Sequence, residues 1–258
     1  MNEKTLKEQI IKHAEELGIK EIGFCKHNGQ TAVCCLFPYY MDEANSNLSV
    51  YARGTDYHLV VLEILKKIME PFDKNATYHI DKGEPFDQAV AYKSGLGFMG
   101  KNHLLINKNL GSWCFIGYAL TDLDITPDKP LELSCSACNA CIEACPGKAL
   151  AEDKFFTENC ASYISQKKGQ LSEEETDILL KSGLAFGCDI CQKVCPHNTN
   201  AETALKEFKE NRVLNIQLSK LSDLSNKEFK ENFKDKAFAW RGKEVLIRNL
   251  KKLVGMKS

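Results

Sequence analysis

No apolar run in the 258 residues approaches the roughly 20 consecutive apolar residues that a membrane-spanning helix needs, and nothing at the N-terminus reads as a secretory signal. A soluble, cytoplasmic protein with no membrane partner is the expectation. Net charge is as scarce as hydrophobic length. Lys and Arg number 34 against 35 Asp and Glu, a balance that argues against indiscriminate affinity for polyanions. The charge is unevenly spread, because residues 201–258 carry 14 Lys or Arg against 8 Asp or Glu. That basic tail suits either a polyanion or a solvated helical surface. Internal repeats are lacking too, beyond a paired cysteine motif.

Cysteine is what the chain has in excess. Eight of its 12 cysteines fall within 61 residues. The run Cys135-Ser-Ala-Cys138-Asn-Ala-Cys141-Ile-Glu-Ala-Cys145-Pro146 is CxxCxxCxxxCP, and Cys160 then precedes Cys188-Asp-Ile-Cys191-Gln-Lys-Val-Cys195-Pro196. This is the spacing of two 4Fe-4S clusters, in which the last cysteine of each run, followed by proline, reaches across to the other cluster. It pairs Cys135, Cys138, Cys141 and Cys195 on one cluster, and Cys145, Cys160, Cys188 and Cys191 on the other. The competing readings are a disulfide framework, disfavoured in a reducing compartment, and two zinc sites, which have no use for interlocked Cys-Pro ends. Cys25, Cys34 and Cys35 show no ligand spacing and read as small buried apolar residues.

Ahead of the cysteines the pattern is mixed α and β. Apolar residues at helical spacing predict helices over Glu3–Leu17 and Asp56–Met69, and a further helix over Phe86–Ser94. Runs rich in β-branched and aromatic residues predict strands over Ile19–Phe24, Thr31–Phe37, Ala76–Ile80, Leu104–Asn107 and Ser112–Leu120. Asp122–Pro130 reads as a linker. Beyond it, helices are expected over Pro146–Leu150, over Ser172–Ser182 with an acidic first turn, after the capping box begun by Ser225 and closed by Glu228, and over Trp240–Val254. The architecture expected is α+β: an α/β domain over 1–127, a ferredoxin-like double-cluster domain over 128–200 and a basic helical tail over 201–258.

A bare two-cluster carrier needs only about 60 to 80 residues, so the N-terminal domain calls for an electron acceptor such as a flavin, a corrinoid or the substrate itself. The turn Gly95-Leu-Gly-Phe-Met-Gly100 spells GxGxxG, but it neither follows a strand directly nor precedes an acidic residue at the dinucleotide distance. A close approach to a large planar or phosphate-bearing ligand is one reading, and a simple tight turn the other.

Several stretches together resemble the epoxyqueuosine reductase family: Tyr51-Ala-Arg-Gly-Thr-Asp-Tyr-His58, His79-Ile-Asp81-Lys-Gly83, Ser94 to Asn102, Gly111-Ser-Trp-Cys-Phe-Ile-Gly117, Thr121-Asp-Leu123, Cys160-Ala-Ser-Tyr-Ile-Ser165, Phe186 to Pro196, Leu224 to Phe229 and Trp240-Arg-Gly-Lys243. The resemblance implies a reductase that binds cobalamin and two 4Fe-4S clusters and reduces epoxyqueuosine in tRNA to queuosine. In its terms Asp81 lies at the cofactor as proton donor, where a buried pocket under a corrin ring would raise its pKa by desolvation, whereas in the alternative it only caps a turn. Gly100, Leu105 and Ile116 would line the corrin, with Ser162 and Asp189 near the cluster that faces it. Tyr57 and His58 would line the substrate pocket or simply start a helix, and Lys168, Arg241 and Lys243 would meet tRNA phosphates. A monomer supplied by an external electron donor such as flavodoxin or ferredoxin is expected. Three departures stand out. An insertion between Phe24 and Thr31 is missing with its arginine, Gln88 stands where many members have arginine, and the C-terminal helical repeats are absent. A reduced tRNA grip, a partner that supplies the missing surface or another substrate fits these losses. The rival functions are a corrinoid/iron–sulfur reductase of a small molecule and a two-cluster electron-transfer protein.

Overall fold

A computed structural model describes residues 5–41, 45–81, 87–135 and 137–255. Thr5 caps the first helix, α1 (Leu6–Glu16), in a capping box with Glu8. The strands β1 (Ile22–His27) and β2 (Gln30–Pro38) then form a hairpin in which His27 pairs with Gln30. Its two-residue turn is Asn28-Gly29, both at positive φ, the backbone that a tight hairpin requires and that Asn-Gly adopts most readily. That dipeptide is a legible hairpin signal, although the strand pattern alone left the gap between the two strands unassigned.

Asp56 caps α2 (Tyr57–Met69) by accepting from the His58 amide. The chain continues through β3 (Thr77–His79), α3 (Asp87–Lys93), a small hairpin of β4 (Phe98–Met99) and β5 (Leu105–Ile106), and β6 (Cys114–Thr121). The main sheet is antiparallel throughout, in the order β1-β2-β6-β3. Alternation along β2 and β6 divides the core. Val33, Cys35, Phe37, Phe115 and Ala119 face α1 and α2, whereas Ala32, Cys34, Leu36 and Tyr118 face Val90 and Ala91 of α3 and Leu105 of β5. β2 is therefore buried on both faces, which explains why it reads as a continuous apolar run rather than an alternating one.

The cysteine-rich segment contains α4 (Ala140–Ala144), α5 (Ala161–Gln166), α6 (Glu173–Ser182) and α7 (Ile190–Lys193). Pro146–Leu150 is not the helix expected. The helix lies one step earlier, inside the cysteine run. After it Cys145 is extended, Lys148 has a φ of 53°, and a Cβ on Gly147 would meet the Asn159 carbonyl oxygen at 1.9 Å. Close backbone crossing, not helix propensity, shapes that turn.

Residues beyond 200 form α8 (Lys206–Lys209), α9 (Leu218–Asp223), α10 (Asn226–Phe233, with the Ser225–Glu228 capping box) and α11 (Lys243–Gly255). Trp240 precedes α11 rather than starting it, since Gly242 at positive φ interrupts the chain between them. These helices are not a loose appendage. Phe208 lies in the main core, and Leu221, Phe229, Phe238, Leu246 and Leu250 enclose Leu48, Ala52 and Phe186 in a third apolar cluster. Replacing Phe208, which is 2 % exposed, by Ala should cost about 3–5 kcal/mol. Urea unfolding of the whole chain checks this, and a loss below about 1 kcal/mol would place residues 201–258 outside the cooperative core.

Candidate functional site

A cavity of about 790 Å3 opens beside β6, between the sheet, α5 and the segment before α11. Its walls are Leu105 from β5 and Phe115 and Ile116 from β6, with Ser112, Gln88 and Gln166 supplying polar groups and Trp240 at the edge. Asp81, Tyr57 and His58 all reach it. Three elements distant in sequence converge there because β3 and β6 are neighbours and α2 packs across them.

Asp81 sits one residue past Ile80, with φ at 50°. This left-handed backbone is one that Asp tolerates better than most residues. Its amide donates to Asp87 Oδ2 at 2.5 Å, and its carboxylate accepts from the Tyr57 hydroxyl at 2.6 Å. His58 Nε2 lies 4.0 Å from the same Asp81 oxygen, and His58 Nδ1 lies 2.8 Å from Asp56 Oδ1. The Tyr57 ring is stacked between Phe115 and His58, at 4.3 and 4.1 Å between centroids. Burial, reinforced by the Asp81 carboxylate, pushes the Tyr57 hydroxyl far up, so it donates and stays protonated. Tyr57 and His58 thus both open a helix and line the cavity.

The protein's own residues do not bury Asp81. Its side chain is 70 % exposed, because it stands at the mouth of the cavity rather than beneath its floor. The carboxyl shielded from water is Asp87, which sequence reasoning passed over. Burial, with the Asp81 charge adding to it, pushes Asp87 up to about 6, although the Asp81 amide opposes this. Its Oδ1 is buried without a hydrogen-bond partner among the described residues. No spacing rule links Asp81 to Asp87, so the tertiary turn alone reveals the pair. Lys82 and Gly83, which complete the acid motif, lie outside the described residues.

Of the other residues singled out, Leu105, Ile116 and Gln88 line the cavity, whereas Gly100, Ser162 and Asp189 are not part of its lining. A Cβ on Gly100 would meet Asn102 Oδ1 at 2.5 Å and Ile106 Cδ1 at 2.6 Å, so this glycine serves the packing of its own turn. Ser162 accepts from the Gln166 amide through its carbonyl and hydroxyl oxygens. Asp189, 1 % exposed, accepts from the Ser49 hydroxyl and from the Val50 amide at 3.0 Å, and joins the cysteine-rich segment to the N-terminal domain.

None of the 12 cysteines is joined in a disulfide. Among the described residues no three His, Cys, Asp or Glu side chains form a ready site for a single metal ion. The buried thiols fall into two electrostatic neighbourhoods. Burial raises Cys141 and Cys195, with Cys135 bearing on both and Cys138 on Cys195. Burial likewise pushes Cys188 up to about 11, with Cys160 and Cys145 bearing on it, and raises Cys191 beside Cys188, Cys160 and Cys145. Backbone amides of Lys101, Ala140 and Ala149 point at the sulfurs of Cys135, Cys138 and Cys145, at 3.4, 3.4 and 3.3 Å. Such amides favour thiolates that hold metal.

Residues 134–198 match the family model of the 4Fe-4S double cluster binding domain, and residues 25–82 that of epoxyqueuosine reductase QueG, DUF1730. An epoxyqueuosine reductase of Leadbetterella byssophila is 33 % identical over 232 residues, covering 86 % of this chain and 76 % of its own length. The chain belongs to the epoxyqueuosine reductase family. Another epoxyqueuosine reductase, from Listeria monocytogenes, is 36 % identical over 252 residues, 91 % of this chain and 66 % of its own. The chain spans 53 to 66 % of the length of several curated members of the family. A crystal structure of epoxyqueuosine reductase with an epoxyqueuosine-modified tRNA stem loop superposes with a TM-score of 0.83 at 26 % identity, covering 96 % of this chain and 80 % of that one.

A basic groove of about 670 Å3 runs beside the cavity, lined by Lys168, Arg241, Arg248, Lys251 and Lys252 with Glu244 as its acid. The Arg241 guanidinium lies 3.6 Å from the Trp240 ring centroid. Trp240, 62 % exposed, therefore joins the groove to the cavity. Lys243 turns elsewhere, its ammonium donating to the Leu224 carbonyl.

Asp87 provides a test of this geometry. Its folded pKa of about 6 exceeds the ordinary 3.8, so the folded state holds the proton more tightly. The stability it contributes is complete below pH ~4 and is lost as pH rises through about 6. Asp87→Asn should remove that slope, making the variant more stable relative to the parent at pH 7 than at pH 4. Chemical denaturation at both values measures it, and parallel pH profiles would refute the buried acid.

Proposed function

We propose that the protein is a cobalamin- and 4Fe-4S-dependent reductase that converts epoxyqueuosine in tRNA to queuosine. The observation that carries this reading is the cavity itself, in which a carboxyl and its phenol partner stand among apolar side chains of β5 and β6 beside a double-cluster domain. The family's named activity and the tRNA stem loop bound by a relative support the choice of substrate.

The residues present fit a corrinoid. At about 790 Å3 the cavity lies in the upper range of cofactor sites. Its apolar lining, Leu105, Phe115 and Ile116, suits a macrocycle, and Ser112, Gln88 and Gln166 suit a fringe of amides. Cys135, Cys138, Cys141 and Cys195 would hold one cluster, and Cys145, Cys160, Cys188 and Cys191 the other. Once bound, the clusters supply electrons singly and the corrinoid supplies the low-valent reducing centre that no side chain offers. Gly100, outside the lining, keeps the Leu105 turn in shape, while Ser162 and Asp189 set the cluster segment against the cavity.

Asp81 holds the proton that the epoxide oxygen needs as its C–O bonds break. The Tyr57 hydroxyl fixes the carboxyl at one oxygen and leaves the other toward the cavity. Lys168 and Arg241 meet backbone phosphates, which orient the nucleic acid without reading its sequence, while Lys243 supports the local fold through Leu224. An external one-electron donor recharges the clusters, and the chain acts as a monomer in the cytoplasm.

Anaerobically reconstituted protein should change the cobalamin spectrum on titration and convert epoxyqueuosine tRNA. Asp81→Asn should retain the spectral change and lose at least about 100-fold in kcat. An unchanged cobalamin spectrum with the parent protein would sink the cofactor reading, and undiminished turnover by the variant would remove the role of Asp81. Lys168→Ala and Arg241→Ala should each lower the slope of log affinity for tRNA against log salt by about 1. Unaltered slopes would place the phosphates elsewhere.

A further inference from the structure

We infer that Asp56 and His58 form the proton supply line of Asp81, which lets one carboxyl deliver both protons that the reaction consumes. The inference rests on the reaction proposed above. Removing an epoxide oxygen as water takes two electrons and two protons. Both C–O bonds break, the alkene forms between the two carbons, and the oxygen leaves as water. The electrons arrive from the external one-electron donor through the clusters. One carboxyl holds one proton, so a second must reach it within the same turnover.

The arrangement of Asp56, His58 and Asp81 provides that route. Asp56 Oδ1 accepts from both the His58 amide, at 3.0 Å, and the His58 ring Nδ1, at 2.8 Å. Burial pushes the Asp56 carboxyl up, but these two hydrogen bonds and the charge on His58 outweigh it and hold the group below its usual range. A carboxylate only accepts, so Nδ1 carries the hydrogen and Nε2 is the nitrogen that loads and unloads. Nε2 is the one that lies 4.0 Å from Asp81 Oδ2. That gap is about 1 Å too long for a direct hydrogen bond. A small movement of the exposed Asp81 or one bridging water closes it, as such contacts commonly tighten when substrate binds. The imidazole is fixed in orientation by stacking on Tyr57, and its side chain is 39 % exposed, so solvent can reload it.

Among the described residues, titratable groups facing His58 include Asp56 and Tyr57 from α2, Asp81 beyond β3 and Asp87 from α3. Asp87 is the rival second donor and is poorly placed to refill. One of its oxygens accepts from the Asp81 amide, and the other is shut away from water. The sequence of transfers is then balanced. Protonated Asp81 gives its proton to the epoxide oxygen and becomes a carboxylate. The His58 imidazolium passes the Nε2 proton to Oδ2 of that carboxylate, the oxygen that also accepts from Tyr57, and becomes neutral, and rotation of the carboxyl turns that proton toward the cavity. Asp81 gives this second proton to the departing hydroxyl, and solvent reloads His58. His58 touches Asp81 rather than substrate, so it acts through the acid.

Nitrogen-15 NMR of histidine-labelled, anaerobically reconstituted full-length protein tests the pair independently of turnover. The His58 ring should carry its hydrogen on Nδ1 and titrate at Nε2. Asp56→Asn and Asp81→Asn should each lower its pKa, because each removes a neighbouring negative charge. A His58 titration indifferent to Asp81→Asn overturns the proposal. In the loaded enzyme, His58→Gln, which keeps a donor for Asp56, should lower multiple-turnover kcat about 100-fold without altering KM for tRNA or the cobalamin spectrum. Added imidazole should restore part of the rate in His58→Gln and none in Asp81→Asn. Loss expressed in KM, or a rate that imidazole leaves unchanged, overturns the relay as well. Should the parent protein leave epoxyqueuosine tRNA untouched, the substrate reading falls, while the NMR result still decides whether His58 and Asp81 are coupled.

Discussion

The site depends on how the cysteine-rich segment is seated on the sheet domain, and that seating is made by buried polar groups. Gln192 donates to the Ser112 carbonyl and the Tyr39 hydroxyl, at 2.9 and 3.0 Å. Asn198 accepts from the Ser112 amide at 2.7 Å and donates to the Gln192 carbonyl at 2.7 Å. Asp189 gathers the Ser49 hydroxyl and the Val50 amide. Buried polar groups are costly unless each finds its partner, so this network admits one docking geometry where an apolar contact would admit several. Asn249 performs the same service further on, donating to the Ser165 and Ala185 carbonyls at 2.7 and 2.8 Å. These bonds hold the cysteine-rich segment at a fixed separation from the cavity.

A second constraint is the division of labour between two carboxyls six residues apart. Asp87 is shielded and anchors the backbone of Asp81, and Asp81 is exposed and faces the cavity. The left-handed backbone of Asp81 persists because the Asp87 carboxyl holds its amide and the Tyr57 hydroxyl holds its side chain. The aromatic stack of His58, Tyr57 and Phe115 carries this arrangement into the core, because Phe115 packs in turn on Phe208 at 5.1 Å. Helix α8, far along the chain, thereby supports the acid.

Much of this was legible in the residues, for identifiable reasons. The cysteine runs declare their metal because ligand spacing is a local property. Helices α2, α6 and α10 declare themselves through periodicity and caps: Asp56, and the Ser172–Glu175 and Ser225–Glu228 boxes. The first strands were legible as strands, but the Asn28-Gly29 turn that joins them was overlooked. The helix expected over Pro146–Leu150 failed because a crossing strand of backbone at Asn159 occupies the space, a contact no local pattern encodes.

Sequence by itself thus determined the double-cluster framework and several helix starts, since cysteine spacing and capping boxes act over a few residues. Tertiary structure alone decided which groups work together. It set Asp81 at the mouth of the cavity instead of beneath it, chose Asp87 as the shielded acid and aligned Asp56 and His58 with Asp81. It also drew the basic tail into the core and turned Lys243 inward. The physical reason is that burial, electrostatic coupling and hydrogen-bond partnership depend on distances in space, and a folded chain sets those between residues its sequence keeps far apart.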